Sequence, residues 1–255
     1  MLTAITRSVS PAIGRCELEY LERRPIDLAI AAQQHSAYER CLAELGARVI
    51  SLPAEPDLPD SVFVEDPALV LDEVAVIARM GAESRREEAR TLAEALAPFR
   101  PLLHLTAPAT LEGGDVMSIG RTLFVGESAR TNRAGIGQLR ELLAPFGYTV
   151  APVAVHGCLH LKSACTYLGN DTILAHRVWI DMAPLREFRI VDVAPGEPWA
   201  GNTLTLGETV LIPLAFPATA AILESLGLRV RTLDISELMK AEAALTCSSL
   251  IFEAE

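Results

Sequence analysis

The sequence predicts an α/β fold: a closed ring of five strand-strand-helix-strand units, the fifth completed by the two chain ends. Three observations carry this expectation. First, Glu65, Glu112, His160, Asn202 and Cys247 each open a short polar motif that runs into strand-like apolar residues. Second, these five are spaced 47, 48, 42 and 45 residues apart along the 255-residue chain, and a period of that size marks a repeat architecture. Third, helical patterns fill most of the gaps between the strand pairs.

The elements follow in order. "TAITRSV" near the start is a strand, and a helix over Asp27–Leu45 ends at Gly46 before the strand "ARVISLP". "FVEDPALVLDEVAVIARM" holds Glu65-Asp66, an alternating run, a polar break at Asp72-Glu73 and a second run, which reads as a hairpin. Ser84-Arg85-Arg86-Glu87 has the spacing of a capping box, with Leu92 and Leu96 on the helix behind it, and "LLHLT" follows as a strand. "LEGGDVMSIGRTLFVGE" repeats the hairpin, followed by a helix over Arg133–Leu143 and the strand "TVAPVAV". "HLKSACTYLGNDTILAH" turns at Gly169-Asn170-Asp171. "GNTLTLGETVLIP" turns at Gly207-Glu208, and a helix opened by Pro217 and closed by Gly227 leads to the strand "RVRTLDI". "TCSSLIF" then supplies the first strand of the unit whose second strand is "TAITRSV". No linker or low-complexity stretch interrupts the pattern, so residues 1–255 are expected to form one domain.

Composition narrows the function. Half the residues are hydrophobic and 22% are charged, as in an ordinary globular protein. Lys and Arg number 22 against 33 Asp and Glu, a formal charge of −11. That argues against nucleic-acid or anionic-membrane partners and suits a small cationic ligand. The N-terminus lacks a basic start followed by an apolar run. The longest apolar stretch, "VLIPLAFPATAAIL", has 14 residues and two prolines, too short and broken to span a bilayer. Cys16, Cys41, Cys158, Cys165 and Cys247 are odd in number and form no C-x-x-C, which points to a reducing cytoplasm rather than a disulfide framework. His156, Cys158 and His160 lie close together, but no second ligand cluster completes a metal site. No metal and no cofactor are expected.

If the repeats form a ring, their opening residues converge at its centre. A Cys with a His and a carboxylate is the minimal set for thiolate catalysis. The thiolate attacks, the imidazole moves protons, and the carboxylate orients the imidazole. Each residue alone has a plainer reading: a lone Cys packs like a small hydrophobe, and Glu112-Gly113-Gly114-Asp115 could be a turn. Their common place in the repeat favours the functional reading of Cys247, His160 and Glu112.

"FVEDPALV", "LEGGDV", "GESARTN", "HLKS" and "ALTCSS", in this order from Leu18 to Phe252, resemble the dimethylarginine dimethylaminohydrolases. Those are guanidino-modifying enzymes with the five-bladed α/β propeller, or pentein, fold. The resemblance implies that Cys247 attacks the guanidinium carbon of an Nω-methylated arginine. It implies that His160 protonates the departing amine and later activates water, and that Glu112 supports His160. The products would be citrulline and methylamine or dimethylamine. Asp66 would hold the guanidinium, with Glu65 and Asp60 near it. Arg85 and Arg130 would take the α-carboxylate. Leu18, in the loop "CELEYLERR", would touch the substrate from a lid. "HLKS" separates the chain from related arginine deiminases, which tend to have Asp where it has Lys162. Ala243-Ala244 stand where glycine is common in the family. The Cys247 thiol is expected to be neutral until a guanidinium arrives, because nearby carboxylates disfavour a second anion.

Other readings stay open. An arginine or agmatine deiminase, or an amidinotransferase, would use the same three residues. A non-catalytic sensor of arginine-like cations would need the carboxylates but not the thiol. A monomer or a homodimer would each fit.

Overall fold

The computed structural model describes residues 1–254. Five three-stranded sheets succeed one another around a ring. In each, the first strand pairs antiparallel with the second and the second pairs parallel with the third. The blade made from both termini runs from β15 (Leu250–Glu253) to β1 (Leu2–Arg7) to β2 (Arg48–Leu52), with α1 (Leu28–Glu44) crossing between β1 and β2. The next comprises β3 (Ala68–Val70), β4 (Ala75–Ile77), α2 (Glu88–Leu96) and β5 (Leu102–His104). Then come β6 (Val116–Ile119), β7 (Thr122–Glu127), α3 (Arg133–Leu143) and β8 (Thr149–Ala154). The fourth comprises β9 (Cys165–Gly169), preceded by the short helix α4 (Leu161–Ala164), with β10 (Thr172–Ala175) and β11 (Arg189–Asp192). The last comprises β12 (Leu204–Leu206), β13 (Thr209–Pro213), α5 (Pro217–Ser225) and β14 (Arg229–Leu233), with α6 (Ser236–Met239) leading back to β15. This is the five-bladed α/β propeller.

The second strand of each blade is its most buried: β4 and β13 are buried at every position. It is the central strand of its sheet, between the first and the third, so it reads as a nearly continuous apolar run rather than an alternating one. The helices seat a 3.6-residue stripe on the sheets. α1 buries Ala31, Gln34, His35, Tyr38, Cys41 and Leu42, and α3 buries Ile136, Leu139 and Leu143 against Val74, Leu123 and Val125. Each fully buried Leu contributes roughly 1.5–3 kcal/mol. The Asp27 carboxylate accepts the Ala29 and Ile30 N–H groups and starts α1. Gly46, at φ +96°, lets the chain leave it in the left-handed conformation. Asn170 and Asp171, at φ 48° and 52°, form the tight β9–β10 turn.

Two local expectations fail. Ser84 does not cap α2. It lies in a 3-10 turn over Glu83–Arg85, α2 begins at Glu88, and the Ser84 hydroxyl instead bonds the Glu17 carboxylate. The blade of β9–β11 has no crossing helix; the 3-10 turns Arg177–Trp179 and Ala183–Leu185 make that connection.

The five first strands line a central cavity of about 440 Å³. No helix among the described residues is long and apolar enough to cross a membrane.

Candidate active site

The residues that open the repeats sit on turns at one end of the first strands, and those turns are stapled to one another around the ring. The Cys247 carbonyl accepts the Glu65 N–H at 3.2 Å, and the Asp66 carbonyl accepts the Gly113 N–H at 2.9 Å. Asp115 Oδ1 accepts the Leu161 N–H at 2.9 Å. Asn202 Nδ2 donates to the Lys162 carbonyl at 3.0 Å, and its Oδ1 accepts the Thr246 N–H at 3.2 Å, returning to the Cys247 turn. Each repeat thus fixes the height of its neighbour.

The staples converge on a small cavity of about 20 Å³, lined by Cys247, His160, Asp66, Asp60, Arg85, Arg130 and Glu242 among others. That is room for about one water molecule. His160 Nε2 lies 2.8 Å from Glu112 Oε2, and its Nδ1 is 3.9 Å from Asp66 Oδ1. Glu112 is fully buried; its other oxygen accepts the Gly81 and Ala82 N–H groups at 3.1 and 3.2 Å and a 3.4 Å contact from Arg130 Nη1. Gly114 passes so close that a side chain there would meet the His160 ring and Asp66. It donates its N–H to Asp66 Oδ1 at 3.0 Å.

The electrostatics follow from burial and charge. Burial opposes a charged imidazole, but Asp66, Glu112 and Asp115 override it and raise the His160 pKa to about 9. Burial also opposes ionised Glu112, and is outweighed by the His160 hydrogen bond and the charges of His160, Arg85 and Arg130, which hold it well below the usual carboxylate range. Burial, reinforced by Glu65 and Asp66, pushes the Cys247 thiol up to about 12, against the Ala244 N–H and Lys162. The resting pair is therefore a neutral thiol and an imidazolium. Asp66, Glu112 and His160 could each offer a ligand atom to one metal ion. A protonated imidazole ion-paired to both carboxylates is poorly suited to that role.

The consecutive acids Glu65 and Asp66 serve different cavities. Asp66 lines the Cys247 cavity. Glu65 lines the central one, where Oε1 is 2.5 Å from Lys162 Nζ and Oε2 accepts the Thr246 hydroxyl at 2.7 Å. Arg85 is buried and largely engaged: Nη1 is 2.9 Å from Asp66 Oδ2, and Nε and Nη2 grip Glu88 at 3.1 and 3.0 Å. Arg130 Nε lies 3.2 Å from Glu19 Oε2 in the loop after Cys16. Asp60 receives the Glu17 N–H at 3.1 Å. Leu18 is half-buried; it lines a neighbouring surface hollow with Arg130 and packs against the hydrophobic cluster that Cys247 borders. All five cysteines are free thiols.

Sequence reasoning missed Glu88, Asp115, Glu242 and the Lys162–Glu65 pair. Glu88 was findable, three residues after Arg85 on a helical approach, and so was Asp115, three after Glu112. Glu242 carried no local signal.

Comparison with known proteins gives a consistent result. A sequence model of the family described as N,N dimethylarginine dimethylhydrolase, eukaryotic, matches residues 20–187. The chain is 37% identical over 228 residues to the N(G),N(G)-dimethylarginine dimethylaminohydrolase of Pseudomonas aeruginosa, covering 89% of this chain and 90% of that one. It is 39% identical over 248 residues to the enzyme of the same name from Streptomyces coelicolor, covering 97% and 95%. Among solved structures it superposes on the Pseudomonas aeruginosa protein, a cysteine-to-serine mutant complexed with citrulline. The TM-score is 0.94 at 34% identity, over 99% of this chain and all of that one.

Proposed function

This chain belongs to the dimethylarginine dimethylaminohydrolase family, and from that membership we propose that it hydrolyses Nω-methylated L-arginine to L-citrulline and methylamine or dimethylamine. The observation that carries the reading is His160, which lines one cavity with Cys247 and Asp66 and is paired at 2.8 Å with buried Glu112 behind it.

The chemistry follows from those groups. The guanidinium brings a positive charge to Asp66, with Asp60 close by, and so lowers the cost of ionising Cys247. The thiol releases its proton to solvent water as the cation settles, since His160 already carries one. The Cys247 sulfur then bonds to the guanidinium carbon. The bond from that carbon to the methylated nitrogen breaks, and His160 passes its Nδ1 proton to the departing amine. His160, now neutral, takes a proton from a water molecule whose oxygen attacks the same carbon. The carbon–sulfur bond breaks, citrulline forms and the thiolate is restored. Glu112 holds the ring in place and stabilises its charged form. Arg130 is the receiver of the α-carboxylate. Arg85 orients Asp66, and the Glu65–Lys162 pair supports the turn that carries Cys247. A dimethylated guanidinium has fewer N–H donors than arginine and needs fewer acceptors around it. Pairing Glu65 with Lys162 suits that need.

The test is citrulline formation by purified protein given asymmetric dimethylarginine, monomethylarginine, arginine and agmatine in parallel, with Cys247→Ser as control. Citrulline from the methylated arginines, absent in the variant, is expected. Turnover of arginine or agmatine instead would make the protein a deiminase. Ligand binding without any turnover would make it a sensor.

A further inference from the structure

Three cationic side chains line the Cys247 cavity: Arg85, Arg130 and His160. Each has a carboxylate partner that does not line it. Glu112 is 2.8 Å from His160, Glu19 is 3.2 Å from Arg130, and Glu88 is 3.0 Å from Arg85. Glu88 opens α2, three residues after Arg85. Arg85 presents two N–H groups to it side by side, Nε to Oε1 at 3.1 Å and Nη2 to Oε2 at 3.0 Å. Such a two-pronged pairing is the strong form of an arginine–carboxylate contact. The remaining Nη1 reaches Asp66 Oδ2 at 2.9 Å. Arg85, Asp66 and Glu88 are each at most 4% exposed, so solvent screens their charges weakly. Arg7, the other cation that feels Glu88, has its own partner in Glu55 at 3.2 Å.

The charge balance shows what Glu88 does. Asp66 has to hold the substrate guanidinium, yet it already touches a guanidinium, that of Arg85. Asp66 and Glu88 are the two carboxylates that Arg85 bonds. Asp66 and Arg85 alone would sum to zero and offer an incoming cation little attraction. Asp66, Arg85 and Glu88 together carry one net negative charge. Resting on the reading of a guanidinium substrate above, we infer that Glu88 is a positioning residue acting through Arg85: it offsets the Arg85 charge from outside the cavity, so that Arg85 orients Asp66 without neutralising it. Asp66 then keeps its negative charge for the substrate, and Glu88 favours a cationic ligand over a neutral one of the same shape without touching either.

The test measures the affinities of asymmetric dimethylarginine and of citrulline by calorimetry in the Cys247→Ser background. The two molecules share the α-amino acid end and the chain, but one ends in a cation and the other in a neutral ureido group. Glu88→Gln keeps the shape of the side chain and removes its charge. It is expected to weaken dimethylarginine by about 10- to 100-fold and citrulline by less than about threefold. Adding Arg85→Gln removes the charge that Glu88 offsets and should restore most of the ratio between the two ligands, a non-additivity that a packing role does not produce. An equal loss for both ligands in Glu88→Gln would overturn the inference. So would two unchanged affinities, or a ratio that the second substitution does not recover. Glu88→Gln leaves a buried arginine short of a partner, and should it not fold, the double variant decides, because it carries no stranded charge. There a ratio within about fivefold of the parent sustains the inference and a lower one overturns it. Absent turnover in wild type would count against the proposed hydrolysis alone, since the ratio is read without turnover.

Discussion

Gly114→Ala is the most informative single perturbation of the site. A methyl group at residue 114 would lie 2.5 Å from His160 Nδ1, 2.8 Å from His160 Cγ and 2.8 Å from Asp66 Oδ1. An ordinary van der Waals separation is about 3.5 Å, so the ring must retreat by about 1 Å. Neither neighbour is free to move. His160 is tied to buried Glu112 at 2.8 Å, and Asp66 is held by Arg85 at 2.9 Å and by the N–H of Gly114 itself. A misplacement of about 1 Å at a reacting group costs about 10²-fold in rate, or about 2.7 kcal/mol of barrier. The assay is steady-state citrulline formation from asymmetric dimethylarginine, with kcat and KM separated. The loss should fall on kcat through His160 and partly on KM through Asp66. Gly137→Ala is the control: nothing lies within 4 Å of its added carbon, and it sits inside α3, where alanine favours the helix. It should keep full activity and a slightly higher Tm. A Gly114→Ala enzyme with kcat within about threefold of wild type would refute the argument that this glycine sets the place of the imidazole.

Thiolate absorbance should titrate above the ordinary cysteine pKa of 9.0 in the free protein and shift downward when a non-reactive guanidinium ligand is added; a low thiol pKa without ligand would contradict the resting state described above. His160, raised from 6.5 to about 9, contributes stability that is fully present below pH 6.5 and lost as pH rises through about 9. The urea-midpoint difference between wild type and His160→Gln should therefore shrink over that window, and a constant difference would oppose the ion pair. Lys162→Met strands Glu65 and should cost about 3 kcal/mol in urea unfolding, largely recovered by adding Glu65→Gln; a loss below about 1 kcal/mol would show the pair to be inconsequential. Tyr38 donates to or accepts from the Ser249 hydroxyl at 2.6 Å, so Tyr38→Phe should cost about 1–3 kcal/mol by the same measurement while leaving KM unchanged.

The ring was legible because its evidence is local and repeated. Alternating runs, turn residues and the spacing from Glu65 to Cys247 all lie along the chain, and closure through β15 and β1 follows once the fifth unit is seen to be split. What stayed hidden depends on direction or on distant partners. Ser84 has the capping spacing, yet a 3-10 turn turns its hydroxyl to the Glu17 carboxylate in the lid loop, a contact 67 residues away in sequence.

The same limit separates Glu65 from Asp66. Consecutive residues on a turn point to different sides, and composition cannot say which carboxylate meets the thiol. The partners decide it: Lys162 and Thr246 take Glu65 into the central cavity, while Arg85 and the Gly114 N–H hold Asp66 beside His160. Both acids have a cationic partner, but only Asp66, held by Arg85, lines the cavity that Cys247 lines, while Lys162 holds Glu65 in the other. That division requires Lys162 to stand two residues beyond His160 on the same short turn of chain. A repeat whose opening turn carries both the proton-transfer group and the cation that removes a competing carboxylate couples the reaction to the choice of substrate. Changing Lys162 alone should therefore alter which guanidinium fits before it alters how the bond is broken.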